Sequence, residues 1–183
     1  MSSISLAPLL LLSTANMTGN IKITKPSEVF YYFQEAALVV ELPVKPGERV
    51  EKGQTLLKYR SSKEQQTKSM SAQESGYVEF IITDSVNANE SIQAGSLASI
   101  VSSSEVLAIV GFSGSQYERA KIADSLWLCL DSEALELTVT GSTGKQLLTT
   151  FELPSYNNKI LEIEPKKEIN LHFDKSSCLS LVR

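Results

Sequence analysis

Histidine and cysteine are scarce in this sequence: 183 residues carry one histidine, His172, and two cysteines, Cys129 and Cys178. The cysteines stand 49 positions apart. With no C-x-x-C pair and a single histidine, that spacing does not spell a zinc site. Buried free thiols are the expectation, with one disulfide as the alternative. Positive charge is thin as well: 17 Lys and Arg face 21 Asp and Glu, for a net charge of −4, and the densest basic pair is Lys166–Lys167. That balance excludes a nucleic-acid footprint. Long apolar runs are missing. Leu6 to Leu12 falls far short of the about 20 residues that a membrane-spanning helix needs. The run has the length of a signal-peptide core and is followed by small residues at Ser13–Ala15. No Lys or Arg precedes it, and no lipid-acceptor cysteine follows. A short packed element and the remnant of an export signal both fit it.

Catalytic signatures are absent in the same way. There is no G-x-G-x-x-G, P-loop, H-E-x-x-H or G-x-S-x-G. "GSTGK" at Gly141–Lys145 lies between two strand patterns and reads as a hairpin turn. No serine and aspartate are spaced around His172 as a triad would require. His172 alternates with Leu171 and Phe173 in "EINLHF", which places it on a strand facing solvent or a barrel rim. Glu133 with Glu136, and Glu162 with Glu164, sit on presumed strands or turns; the second pair shares one strand face. A solvated face accounts for both. "TDSVNANE" lacks the glycine of a calcium loop. No enzyme is expected, and no cofactor or metal.

What is present is strand. Hydrophobic residues make up 42% of the chain, enough for a core rather than a disordered chain. They alternate or cluster in short blocks separated by Gly, Pro, Asn and Ser. The blocks are Asn20–Thr24, Ala37–Val44, Thr55–Tyr59, Tyr77–Ile82, Leu97–Val101, Val106–Phe112, Leu126–Leu130, Leu135–Thr140, Leu147–Leu153, Lys159–Ile163 and Glu168–Phe173. In the seventh, Leu126, Leu128 and Leu130 share one face, with Trp127 and Cys129 on the other. Helix signals are few. Gln116–Asp124 has room for about two turns behind Ser115 as N-cap. Ser61–Ser71 is polar and has no apolar stripe, so it reads as a loop. The fold class is all-β with a minor helix.

One phrase occurs twice. "VKPGERVEKGQTLLKY" at 44–59 sets Val50 three residues before Gly53 and Leu56 three after. "GYVEFIITDSVNANESIQAGSLASIV" at 76–101 sets Ile92 three before Gly95 and Leu97 two after. Each copy reads strand, turn, V/I-x-x-G, strand. The glycine supplies a backbone conformation that a side chain would oppose. Two such halves can pack about a pseudo-twofold axis.

"VVELPVKPGERVEKGQTLLKY" followed by "SAQESGYVEF…SIQAGSLASIV" resembles the biotinyl/lipoyl-like barrel-sandwich hybrid. That fold is found in biotin and lipoyl carriers and in the HlyD-type periplasmic adaptors, the membrane fusion proteins of secretion and efflux systems. The rest of the chain resembles the adaptors. "SEVLAIVGFSGSQYERAKIADSLWLCLD" follows their order of strand, turn with short helix, and strand, with Asp124–Ser125 where the family often has glycine. "EALELTVTGSTGKQLLTTFEL" and "KILEIEPKKEINLHF" look like the remaining barrel strands, and "NIKIT" like the strand that opens the barrel. The resemblance spans about residues 20–175. It implies a β-barrel from 20–35 and 105–175, interrupted by a lipoyl-like unit at 36–104, with a tail at 176–183.

In carriers the two halves meet at a hairpin bearing one modified lysine. Lys63 lies near that place, but no Met-Lys-Met surrounds it, and Lys68 competes. Both read as solvated loop charges. In adaptors the same junction holds a long helical hairpin. Here Arg60–Ser71 is too short for one: wholly helical, about twelve residues span roughly 18 Å.

The function implied by the resemblance is a non-catalytic adaptor-like subunit of a membrane export or efflux assembly, lacking the long coiled-coil hairpin. Its expected place is periplasmic or inner-membrane-associated. Its expected partners are an inner-membrane transporter or other export components, and its own copies in a ring. The candidate contact surface is two polar turns, Pro46, Gly47, Glu48 and Arg49 in one, and Asn87, Asn89, Glu90 and Ser91 in the other. The alternatives are a carrier modified on Lys63 and a stand-alone interaction or regulatory module.

Overall fold

The computed structural model describes residues 17–83, 91–130, 133–155, 159–165 and 167–179; the Leu6–Leu12 run lies outside them. Two β-structures account for the described chain. The first is a closed barrel of six antiparallel strands: β1 (Met17–Ile23), β9 (Glu105–Phe112), β10 (Ser125–Leu130), β11 (Glu133–Thr143), β12 (Gln146–Glu152) and β13 (Lys167–His172), in the order β1-β13-β10-β11-β12-β9. Alternation decides which side chains enter it. Leu126 and Leu128 of β10, Leu147 and Phe151 of β12, and Ile169 and Leu171 of β13 are buried in one core. Each such side chain contributes about 1.5–3 kcal/mol by leaving water. Thr149 shares the inward face of β12 and is buried, and its hydroxyl donates to the Ala108 carbonyl at 3.0 Å, so no polar atom there is stranded. The helix α1 (Gln116–Ala120) closes against this core through Tyr117 and Ala120. Ser115 occupies the N-cap position as expected, but its side chain makes no capping bond.

The second structure is a sandwich inserted between β1 and β9. One sheet has the order β2-β8-β7-β4, from β2 (Glu28–Tyr32), β8 (Leu97–Ser103), β7 (Gly76–Ile81) and β4 (Arg49–Val50). The other is β3-β5-β6, from β3 (Ala37–Glu41), β5 (Thr55–Ser61) and β6 (Thr67–Ser71), extended by a bridge between Ala37 and Ile92. Phe33, Val50, Leu56, Leu57, Val78 and Val101 fill the space between the sheets.

The doubled phrase is a doubled turn. Residues 51–54 close with Gln54 N–H donating to Glu51 O at 2.9 Å, and residues 93–96 with Ser96 N–H donating to Gln93 O at 3.2 Å. Gly53 at φ 88° and Gly95 at φ 84° take the left-handed position of each turn. Each turn then docks on the opposite half by the same pair of bonds. Gly53 N–H donates to Ala72 O and Ala72 N–H to Gln54 O; Gly95 N–H donates to Phe33 O and Phe33 N–H to Ser96 O. Val50 and Ile92, three residues ahead of each glycine, are both buried.

Several expectations need correction. Ser61–Ser71 is no loop: β5 and β6 pair from Thr55↔Ser71 to Arg60↔Thr67, leaving only residues 62–66 as the turn. Its polarity misleads because β6 is the edge strand of this sheet and none of its residues is fully buried. Residues 28–32, placed with the barrel on sequence, pair instead with β8 and belong to the sandwich. Lys159–Ile163 is a 3₁₀ turn over Lys159–Glu162 that buries Ile160, so Glu162 and Glu164 share no strand. Residues 175–179, nearly all within the expected tail, form a short helix, α2 (Lys175–Leu179). The cysteines are not free: Cys129 and Cys178 are joined in a disulfide with Cα atoms 5.2 Å apart. His172 does point outward from the barrel, opposite Leu171, but α2 covers it and leaves it 3% exposed rather than solvated. "GSTGK" is a hairpin turn, with Thr143 paired to Gln146 and Gly144 at φ 58°.

Candidate functional site

The residues expected to contact partners lie at two separate places. Pro46, Gly47, Glu48 and Arg49 form an exposed turn leading into β4. Gly47 N–H donates to Val78 O, and Val78 N–H returns a bond to Glu48 O, at 2.7 and 2.9 Å. Lys45 N–H donates to Glu48 Oε2 at 3.1 Å. The turn sits against the barrel, because Arg49 reaches across to Glu152 at the end of β12 while also pairing with Glu51 at 3.3 Å. Both carboxylates favour the charged guanidinium and push Arg49 up, Glu152 contributing most. Glu51 is held below its usual range by the Ser75 hydroxyl and then by Arg49. Buried beneath this contact, the Tyr77 hydroxyl donates to Leu153 O at 2.9 Å, a second link from sandwich to barrel.

Ser91 is exposed and precedes Ile92, which bridges Ala37; Ala37 in turn pairs with Ser61 near the β5–β6 turn. That is the far end of the sandwich from Arg49. Asn87, Asn89 and Glu90 lie outside the described residues.

The β5–β6 turn presents Lys63, exposed, with its N–H donating to Ser61 Oγ at 3.3 Å. Beside it stands a charge network with no local signature in the chain. Lys68 Nζ lies 2.7 Å from Glu35 Oε1 and 3.0 Å from Glu64 Oε2, and Ser61 Oγ donates to Glu35 Oε2 at 2.6 Å. The Lys68 contact and the Ser61 hydroxyl hold the Glu35 carboxyl below its ordinary range, and the two carboxylates, Glu35 first, push Lys68 up. Lys68 is therefore committed at the base of the hairpin, and Lys63 alone stands at its tip.

A third surface went unnoticed on sequence. On the outer face of the four-stranded sheet, Phe30 and Phe80 flank Ile100 in register, with Tyr32 beside them. Phe30 is 46% exposed, Tyr32 45% and Phe80 39%. Cross-strand apolar rows left in water mark contact surfaces more often than scattered single residues do. The alternation in "VFYY" was the available signal: Val29 and Tyr31 turn inward, Phe30 and Tyr32 outward.

No family model matches the chain, and no curated protein matches it. Solved structures do. A Bacteroides eggerthii DSM 20697 protein, provisionally named an efflux transporter, aligns with a TM-score of 0.57 at 11% identity, over 86% of this chain and 67% of that one. This likeness shows the fold. The periplasmic adaptor protein EmrA aligns at 0.44 with 8% identity, over 86% of this chain and 98% of that one. The membrane fusion protein Spr0693 of Streptococcus pneumoniae R6 aligns at 0.37 with 12% identity, over 86% and 98%. The all-β fold class expected from sequence is what the structure shows: a closed six-stranded barrel with a two-sheet sandwich inserted between β1 and β9.

Proposed function

We propose that this chain is a non-catalytic, adaptor-like subunit of a membrane export or efflux assembly. The observation that carries the reading is the architecture: a lipoyl-like sandwich threaded into a closed barrel, its hairpin reduced to residues 62–66. A catalytic role has little to stand on. Glu162 and Glu164 share no strand, and His172 is covered. With no long helical hairpin between β5 and β6, the subunit works close to a membrane partner rather than reaching across a gap. The partner is an inner-membrane transporter or another export component. Copies of the chain assemble through the sandwich, using the Pro46–Arg49 turn and the Phe30–Ile100–Phe80 row. The disulfide favours an extracytoplasmic setting, where such bonds persist. Among the described residues no helix is long and apolar enough to cross a membrane. Crosslinking in native cells with tagged full-length chain, followed by mass spectrometry, tests this. Recovery of an inner-membrane transporter is the expected result; recovery of soluble cytoplasmic enzymes alone sinks the reading.

A second reading rests on Lys63, which is exposed at the tip of a hairpin where a carrier would bear its cofactor. Intact mass after co-expression with a biotin or lipoate ligase decides it: an added cofactor mass, lost in Lys63→Arg, supports the carrier and removes the adaptor proposal. A stand-alone interaction module is separated from a ring former by light scattering across protein concentration.

A further inference from the structure

Two cysteines 49 positions apart, with no C-x-x-C and a single histidine, do not spell a zinc site in sequence. The fold reverses that. Cys129 on β10, His172 on β13 and Cys178 on α2 bring one ligand atom each to within 4.8 Å of one another. They meet on the outside of the barrel: Trp127↔His172 and Leu128↔Leu171 set β10 and β13 side by side, and the disulfide ties α2 over them. His172 and Cys178 are each 3% exposed. Cys129 is half-buried.

The imidazole poses a separate problem. Among the described residues, His172 Nε2 is buried and has no hydrogen-bond partner. Such an atom has given up its water without a replacement and asks for an explanation. The nearby carboxylate does not supply a bond. Asp174 is engaged at the start of α2, accepting from Ser177 N–H at 2.9 Å and Ser177 Oγ at 2.8 Å. A disulfide beside the ring is at best a weak acceptor. Two thiolates and a neutral imidazole, by contrast, are a donor set for a thiophilic d¹⁰ cation.

We propose that the reduced form of this chain holds a thiophilic cation, Zn²⁺ or Cu⁺, on Cys129, Cys178 and His172, and that disulfide formation closes the site. The chemistry balances with a dithiol as reductant. The dithiol gives two electrons and two protons to the Sγ–Sγ bond and itself becomes a disulfide. The bond breaks into two thiols, and Zn²⁺ then displaces their two protons as it binds. Zinc with sulfur at about 2.3 Å needs the two sulfurs roughly 3.8 Å apart, a separation that side-chain rotation provides once the bond is open. Water completes the tetrahedron.

The test uses the full chain, oxidised and dithiol-reduced, desalted under argon and titrated with Zn²⁺ against a chromophoric chelator. Co²⁺ serves as the spectroscopic probe, and near-UV circular dichroism of Trp127 follows the fold. The reduced chain is expected to bind one Zn²⁺ with release of two protons, to show thiolate-to-Co²⁺ charge transfer, and to keep its fold. The oxidised chain binds none. His172→Gln, which leaves the disulfide able to form, is expected to weaken Zn²⁺ binding on the order of 100-fold with the thiolate bands shifted. The double variant Cys129→Ala/Cys178→Ala is expected to bind none. The proposal is overturned if the reduced chain binds no Zn²⁺, if it binds only with the fold lost, or if His172→Gln or the double variant binds as tightly as the parent.

Discussion

The barrel and the sandwich solve the same problem in different ways. The barrel joins its first and last strands, so the described strands leave no open edge in the ring, and one covalent staple then fixes its C-terminal helix to the wall. The sandwich repeats one turn twice, lets each copy brace the opposite half, and has no covalent link. It keeps sheet edges and an aromatic row in water. A closed barrel spends its apolar residues inward; an open sandwich has a second face to offer. On the function proposed above, the open sandwich face is the contact surface.

The disulfide gives the largest break in that comparison. Replacing Cys129 and Cys178 by alanine frees a loop of 49 residues. Chain-entropy reasoning puts the loss at roughly 4 kcal/mol. Hydrogen exchange should show it in β10, β11 and β13, with β3, β5 and β7 little changed; equal loss in both regions would contradict the division. Next comes Gly76, where a Cβ would stand 2.2 Å from the Ser102 carbonyl oxygen. Gly76→Ala should cost about 1–3 kcal/mol by overpacking, read as a lowered denaturation midpoint confined to the sandwich. Smaller still are the twin turns. Gly53→Ala and Gly95→Ala meet no nearby atom, so each should cost only the left-handed backbone penalty, about 1–2 kcal/mol. The two losses should match within error; a large inequality would show that the halves are not equivalent.

The smallest effect is electrostatic. Glu35 has its folded pKa depressed by Lys68 and Ser61. The stability it contributes is therefore present above the unfolded carboxyl value, about 4.3, and is lost as pH falls through the lower folded value. Unfolding midpoints followed from pH 6 to 3 should fall more steeply in the parent than in Lys68→Met. Equal slopes would show that the pair is screened by water.

Much of this fold was readable because period-two alternation and turn glycines report directly on a half-buried strand. β9, β10, β12 and β13 were placed to within one or two residues, since Leu, Ile, Val or Phe recur along one face of each, interrupted on that face by Ala108 in β9 and Thr149 in β12. Strand β6 escaped because Thr67–Ser71 has almost nothing apolar, and its pairing comes from its neighbour β5 rather than from its own pattern. Strand β2 escaped because aromatic residues on both faces hide the alternation. The candidate surfaces were less legible. Pro46–Arg49 was recognisable as a turn, but its contact with Glu152 depends on a chain segment more than a hundred residues away. No local signal foretold the meeting of Cys129, Cys178 and His172, because three separate elements deliver them.

The insertion of the sandwich also orders the assembly of the chain. β1 pairs with β9, matching Ile23 to Ala108 across the whole of the intervening sandwich. In an unfolded chain, closing that loop is entropically costly and slow. Once Glu28 pairs with Ser102, and Ser103 N–H donates to Ser27 O at 2.8 Å, the loop is already shut. The barrel's first and second strands then arrive as neighbours. The sandwich is thus the clasp that lets a distant β1 and β9 find their register, and the barrel inherits its folding order from the structure threaded through it.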